Sequence, residues 1–272
     1  MKYELIQPPV YLRSYVRFFW TLEGDAMDAL SKVFGSLVDG SPGMIFQQTE
    51  GGAFVRDDKA LPEIFLYGQT TKHTEIAALG EFRSAGVIFH PNALKSVFGL
   101  NAGDLTNSCV DLNLVSSPKK CYLSEKLLQS TSIDNQIEIL SSYLHSQISN
   151  SHVPVDGIIE YAVSRIMTSN GSVPLKELLE KLHMTERTFE RKFKEYVGIS
   201  PKLFSRICRF QASLQQLKNN KYTRLSDIAF ENDYADQSHF IRSFKEFTGC
   251  SPFQFQKQQQ DAADSNTPVL IK

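Results

Sequence analysis

The chain has 272 residues, 42% hydrophobic and 22% charged, with a formal net charge of −1; at about 100–200 residues per domain this predicts two domains, each able to bury a core. No apolar run approaches the roughly 18 residues of a membrane-crossing helix, and MKYELIQPPVYLRSYVRFFW lacks the apolar stretch and small-residue cleavage site of a secretory signal. The four scattered cysteines (Cys109, Cys121, Cys208, Cys250) form no C-x-x-C pair, which argues against a zinc ribbon and a disulfide scaffold and fits a reducing cytoplasm.

Residues 3–115 read as short strands and turns. YVRFFWTLEGD, GMIFQQ, AFVR, EIFLYGQ and SAGVIFH are aromatic and β-branched runs bounded by Gly, Pro and Asp. Such a series predicts a small barrel or sandwich. Asp57-Asp58 reads as a hairpin turn rather than an acid pair. Phe18, Trp20, Phe46, Phe65 and Tyr67 are the candidate walls of an apolar ligand pocket, weighed against the plainer role of core residues. Helices are predicted at 121–130 and 134–148. In the second, Asp134 is the expected N-cap, and Ile137, Leu140 and Leu144 recur at helical spacing. The polar stretch around 149–154, ending at Pro154, reads as a linker.

Beyond the linker the pattern is helical. Val155, Ile158, Ile159, Ala162 and Ile166 form one stripe, ended by Asn170-Gly171. Pro174 opens a helix with Leu175, Leu178, Leu179 and Leu182 on one face. Leu203, Ile207, Phe210, Leu214 and Leu217 define a longer helix after Ser200-Pro201. The polar tail, 258–272, is expected to be disordered. Charge is unevenly divided: residues 1–154 hold 12 Lys and Arg against 16 Asp and Glu, whereas 155–258 hold 16 against 12. A basic second half raises the odds of nucleic-acid binding there.

An internal repeat carries the strongest signal. Phe189, Arg191, Phe193, Lys194, Glu195, Gly198, Ser200 and Pro201 recur 51 positions later as Phe240, Arg242, Phe244, Lys245, Glu246, Gly249, Ser251 and Pro252. Each copy reads as helix, tight turn, helix. In the second helix of the first copy, Phe189, Phe193, Tyr196 and Val197 share a core face, and Arg187, Glu190, Arg191 and Lys194 lie opposite. In the second copy Phe240, Phe244 and Phe247 are core, opposite Ser238, Arg242 and Lys245, with Gln237 in the first turn and Asp236 as the cap. A major groove admits one helix, read near its N-terminus. Arg suits guanine, Gln suits adenine, and Glu can accept from cytosine. Lys suits phosphate, which supplies affinity rather than sequence. One such face alone would be an ordinary solvated surface; two at matching repeat positions favour DNA.

Residues 155–257 resemble the DNA-binding domain of the AraC/XylS family of bacterial transcription regulators. IAFENDYADQSHFIRSFKEFTGCSP (228–252) is similar to that family's second helix-turn-helix signature, and LLEKLHMTERTFERKFKEYVGISP (178–201) matches more loosely. The resemblance implies two helix-turn-helix units joined by a long helix, each placing a recognition helix in successive major grooves. Carried over by position, Arg187, Glu190, Arg191, Gln237, Ser238 and Arg242 are the candidate base contacts, and Lys194 and Lys245 the phosphate contacts. His183 and Asp233 stand where the family usually has Gly; both tolerate φ > 0 better than most residues. The first half more weakly resembles the cupin-like sensor domains of some such regulators.

The expected fold is therefore α+β. A β-barrel or cupin-like domain with flanking helices spans 1–148, a linker 149–154, and an all-α double helix-turn-helix domain 155–257. The expected function is sequence-specific transcription regulation, with activation implied more often than repression. The expected partners are promoter DNA, RNA polymerase for an activator, a small-molecule effector and a second copy of the chain, with 134–148 as the dimer element. No cofactor, metal, membrane or enzymatic role is expected. His73, His90, His145 and His152 contain no H-x-H pair, no nucleotide-binding or hydrolase motif occurs, and His90 and His239 read as structural. Two alternatives stay open: a DNA-modifying or repair enzyme delivered by this module, and a first half that binds a protein rather than a small molecule.

Overall fold

A computed structural model describes residues 2–24, 32–36, 38–50, 54–78, 80–115, 123–130 and 132–264. Cys121 and the 269–271 apolar tripeptide lie outside them. Among the described residues the first half contains ten strands: β1 Lys2–Ile6, β2 Val16–Gly24, β3 Lys32–Ser36, β4 Gly43–Glu50, β5 Phe54–Arg56, β6 Lys59–Ala60, β7 Ile64–Tyr67, β8 Thr74–Ala78, β9 Glu81–Phe89 and β10 Cys109–Asp111. They form a six-stranded sheet, β1-β2-β9-β4-β7-β10, and a four-stranded sheet, β3-β8-β5-β6. The two sheets face one another and do not close into a single ladder among the described residues. Asp57 and Asp58 form the two-residue turn between β5 and β6, at φ 50° and 60°. Positive φ at both positions matches the twist of a tight hairpin.

Strand periodicity divides the larger sheet's side chains between two cores. Phe19, Met44, Phe46, Ile64, Leu66, Ala85, Val87 and Phe89 face the helices. Those helices are α1 (Ala93–Phe98), α2 (Leu112–Val115), α3 (Leu123–Gln129) and α4 (Ile133–Asn150). Trp20, Leu22, Ile45, Phe65 and Phe82 point the other way, toward Phe54 and Ile76 of the smaller sheet. Three glycines of the larger sheet sit opposite aromatic residues in register: Gly86 opposite Trp20, Gly43 opposite Tyr67, and Gly24 opposite Phe82. A Cβ at any of them would collide with the aromatic ring or hydroxyl across the ladder. The rings thus lie over bare backbone.

The cap of α4 is Ser132, whose hydroxyl accepts from the Asn135 N–H at 3.2 Å; Asp134 falls in the first turn instead. The cap thus stands two residues before the expected one. The apolar face of α4 (Ile137, Leu140, Tyr143, Leu144) is spent on its own domain. Its outward residues include Glu138, Ser142, His145 and Ser146.

The second half contains α5 Gly157–Thr168, α6 Leu175–Leu182, α7 Glu186–Val197, α8 Pro201–Lys218, α9 Leu225–Glu231, α10 Gln237–Thr248 and α11 Pro252–Asp264. Pro174 is the residue before α6, at its N-cap, rather than the first helical residue. One core unites both repeats around α8. Phe189, Phe193, Phe204, Ile207, Phe210, Phe240, Phe244 and Phe247 are almost fully buried. Phe255 anchors α11, 1% exposed with its ring 5.5 Å from Phe244, and the helix runs on through 264, the first part of the expected tail.

The two halves are packed together. Val38, on the segment before β4, is fully buried in the core of the second half. Gln211 of α8 donates to the Val38 carbonyl at 2.6 Å.

Candidate nucleic-acid interface

The two recognition helices are built alike. Each is twelve residues long and ends at a left-handed glycine, Gly198 at φ 97° and Gly249 at φ 79°. Thr185 caps α7 by accepting from the Thr188 N–H, and Asp236 caps α10 by accepting from the His239 N–H at 2.6 Å. Such side-chain oxygens satisfy donors the first turn leaves unpaired. The preceding turns are left-handed at His183, φ 50°, and Asp233, φ 54°. These two residues therefore adopt the backbone geometry that glycine would supply.

Burial of the phenylalanines fixes which face each helix turns outward. Arg187, Glu190, Arg191 and Lys194 of α7 are exposed, as are Gln237, Ser238, Arg242 and Lys245 of α10. Among the described residues no ion pair or side-chain hydrogen bond engages any of the eight. Glutamates elsewhere on these helices do find cations: Glu195 pairs with Lys95, and Glu246 with Arg206 at 2.6 Å. The fold therefore leaves three arginines, two lysines, an amide, a hydroxyl and one carboxylate available on two matched surfaces. The first half packs at the C-terminal ends of these helices and leaves their N-terminal turns open to solvent.

His239 is structural at its ring Nδ1, which accepts from the Ala235 N–H at 3.3 Å, while the ring stands edge-on to Tyr234. His90 bonds through Nε2 to the Arg13 carbonyl at 3.0 Å and through its main-chain N–H to Tyr15. Burial pushes the His90 pKa down, against the opposing pull of the Arg13 carbonyl.

The five aromatic residues of the expected ligand pocket do not share one cavity. Trp20, Phe65 and Tyr67 lie together between the sheets. Phe46 points to the opposite face, in the helix-side core. Strand alternation separates it from the other three, since its neighbour Ile45 takes the inward position. Phe18 borders a cavity of about 730 Å³ between the two halves, lined also by Arg17, Asp39, Cys208, Gln211 and Lys218. Sequence spacing gave no sign of this space, because residues from β2 and α8 meet there only through the tertiary fold. Burial holds Lys218 below the ordinary lysine range and pushes the Cys208 thiol up to about 12. Among the described residues no group of three or more His, Cys, Asp or Glu is gathered where it could hold a metal ion, and no helix is long and apolar enough to cross a membrane.

Residues 178–258 match a family described as a helix-turn-helix domain, and residues 4–111 match a domain of unknown function (DUF6597). Over 83 residues the chain is 32% identical to an uncharacterized HTH-type transcriptional regulator of Haemophilus influenzae, covering 30% of this chain and 28% of that protein. It thus aligns with less than a third of that relative's length. Solved structures with similarity include ToxT from Vibrio cholerae at 14% identity and a TM-score of 0.46, covering 87% of this chain and 97% of that one. The AraC-like transcriptional activator CuxR aligns over 72% of this chain and 74% of its own, at 14% identity and a TM-score of 0.20. Two equivalent helix-turn-helix units share one joining helix and present matched open faces. Residues 178–258 therefore carry a helix-turn-helix domain.

Proposed function

We propose that the whole chain is a one-component transcription regulator, acting in the cytoplasm, in which residues 1–148 sense a signal and 155–257 bind promoter DNA across 149–154 as linker. The observation that carries this reading is the pair of open, unpartnered faces on α7 and α10, held in equivalent settings by the repeat. Arg187, Glu190 and Arg191 read one half-site, and Gln237, Ser238 and Arg242 the other. Lys194 and Lys245 bind phosphate. The two half-sites lie about 10 base pairs apart, one helical turn. No catalytic step is assigned to the chain.

The cavity beside Arg17, Phe18 and Lys218 is the proposed seat of a small-molecule effector. It lies between the halves, so an occupant that favours one arrangement of them shifts the DNA-competent population by its difference in affinity for the two. A structure of Vibrio cholerae ToxT carries an unsaturated fatty acid; the ligand of the present chain has its own chemistry to declare. Activation through RNA polymerase and pairing of two copies belong to the same proposal. The outward face of α4 is polar, which argues for a pairing surface elsewhere than 134–148.

Selection of binding sites from random and genomic DNA at fixed salt tests the reading. The expected result is a site spanning about two turns, lost in an Arg191→Ala/Arg242→Ala variant. Failure of the wild-type protein to enrich any site, with and without cell extract as a source of effector, overturns it.

A further inference from the structure

The first half of the chain touches both recognition helices, and it touches them at repeat-equivalent places. Gly198 and Gly249 close α7 and α10 and lie 51 positions apart. The Thr106 hydroxyl donates to the Gly198 carbonyl at 2.6 Å. A Cβ on Gly198 would come within 3.0 Å of the Ala102 carbonyl oxygen, and one on Gly249 within 2.9 Å of the His73 ring. One domain therefore rests directly on the bare caps of both helices. Between these points, Val38 enters the core beside α8.

The repeat also shows where the two units differ. Glu246 ties α10 to α8 through Arg206 at 2.6 Å. Its equivalent, Glu195, turns instead to Lys95 of the first half, whose ammonium also lies 5.0 Å from the centre of the Tyr196 ring. The second unit thus keeps an internal tie to the joining helix. The first unit gives the corresponding carboxylate to the other domain.

We infer that Lys95, Thr106 and His73 are spacing-determining residues, which fix the angle between α7 and α10 and thereby the separation of half-sites the chain accepts. This rests on the reading of the chain as a DNA-binding regulator. The lever is short but sufficient. A twelve-residue helix is about 18 Å long. Pivoting it by about 10° at its C-terminal cap moves its base-reading end about 3 Å, close to the ~3.4 Å rise of one base pair. Contacts at the caps therefore discriminate spacing without touching DNA, whereas the exposed faces discriminate sequence.

The test uses the full chain and duplexes carrying its selected half-sites at the native spacing and with one base pair added or removed. The wild type is expected to lose at least tenfold in affinity on either altered duplex. Lys95→Glu combined with Thr106→Val and His73→Ala is expected to lose less than threefold, with base preference inside each half-site unchanged. In the single-charge pair, Lys95→Glu loosens the spacing profile and Lys95→Glu with Glu195→Lys restores it. A variant profile identical to wild type overturns the inference, as does a wild type indifferent to spacing. A second measurement needs no DNA. Spin labels at Arg187→Cys and Ser238→Cys, with the four native cysteines replaced by serine, should give one narrow distance that broadens or shifts in the triple variant. An unchanged distance overturns the inference even where the regulator reading holds. A shifted distance in a protein that selects no DNA sustains the cap contacts and overturns the regulator reading alone. Thr106→Val is near-isosteric and keeps the test readable if the triple variant unfolds.

Discussion

Replacing Arg242 separates reading from holding. Arg242 lies midway along α10, exposed and without an intramolecular ion pair among the described residues. Its truncation to alanine removes no packing, so the expected cost to folding stays within about 0.5 kcal/mol. A bidentate contact to guanine is worth about 1–3 kcal/mol of discrimination, which is roughly 5- to 150-fold in affinity for the cognate site. On random DNA the same variant should lose far less. Lys245 sits one turn further along the same open face. Lys245→Ala should weaken all duplexes similarly and reduce the slope of log affinity against log salt by about 0.9. Fluorescence anisotropy on the selected and scrambled duplexes, at four salt concentrations, yields both quantities. If the two variants lose the same affinity on both duplexes, the division of α10 into reading and anchoring positions is wrong.

Other expectations follow from the structure. Gly86→Ala drives a methyl group into the Trp20 indole and should cost about 1–3 kcal/mol, seen as a lowered melting temperature; Gly157→Ala, where a Cβ meets nothing within 4 Å, should not. Burial holds His90 below the ordinary histidine range, so the unfolded chain binds the proton first. Stability should therefore fall as pH drops below about 6.5, the ordinary histidine value, toward the lower folded-state value. His90→Gln should flatten that dependence in urea titrations. The Cys208 thiol, pushed up to about 12, stays protonated at neutral pH. It should alkylate far more slowly than a free thiol, and Val38→Ser, which disturbs the packed junction, should speed the reaction as read by mass spectrometry.

The second half was legible because its signals are local. The phenylalanine period, the Asp236 cap and the exposed faces all follow from spacing within twelve residues, and the 51-residue repeat doubles each of them. Even the departures from glycine at His183 and Asp233 were readable, since both residue types tolerate φ near 50°. The first half was legible as strands and turns, including the Asp57-Asp58 hairpin. Its interior was not. Phe46 and Phe65 look equivalent in sequence, yet they face different cores, because the register of β4 against β7 and β9 decides the side. The junction was hidden for a similar reason. Val38, Lys95 and Thr106 meet partners 90 or more positions away, and no periodicity links such residues.

The repeat in the second half joins units that are related but unlike. Arg187 corresponds to Ser238, and Glu190 to Ile241, while Arg191 and Arg242 agree. A dimer with two-fold symmetry reads a palindrome and is indifferent to which strand is called the top. Two unlike readers fixed in order along one chain have no such symmetry. On the proposed reading their site has a head and a tail, so a single bound molecule would point along the DNA. On the same reading, reversing the site would turn the first half of the protein to face the other way.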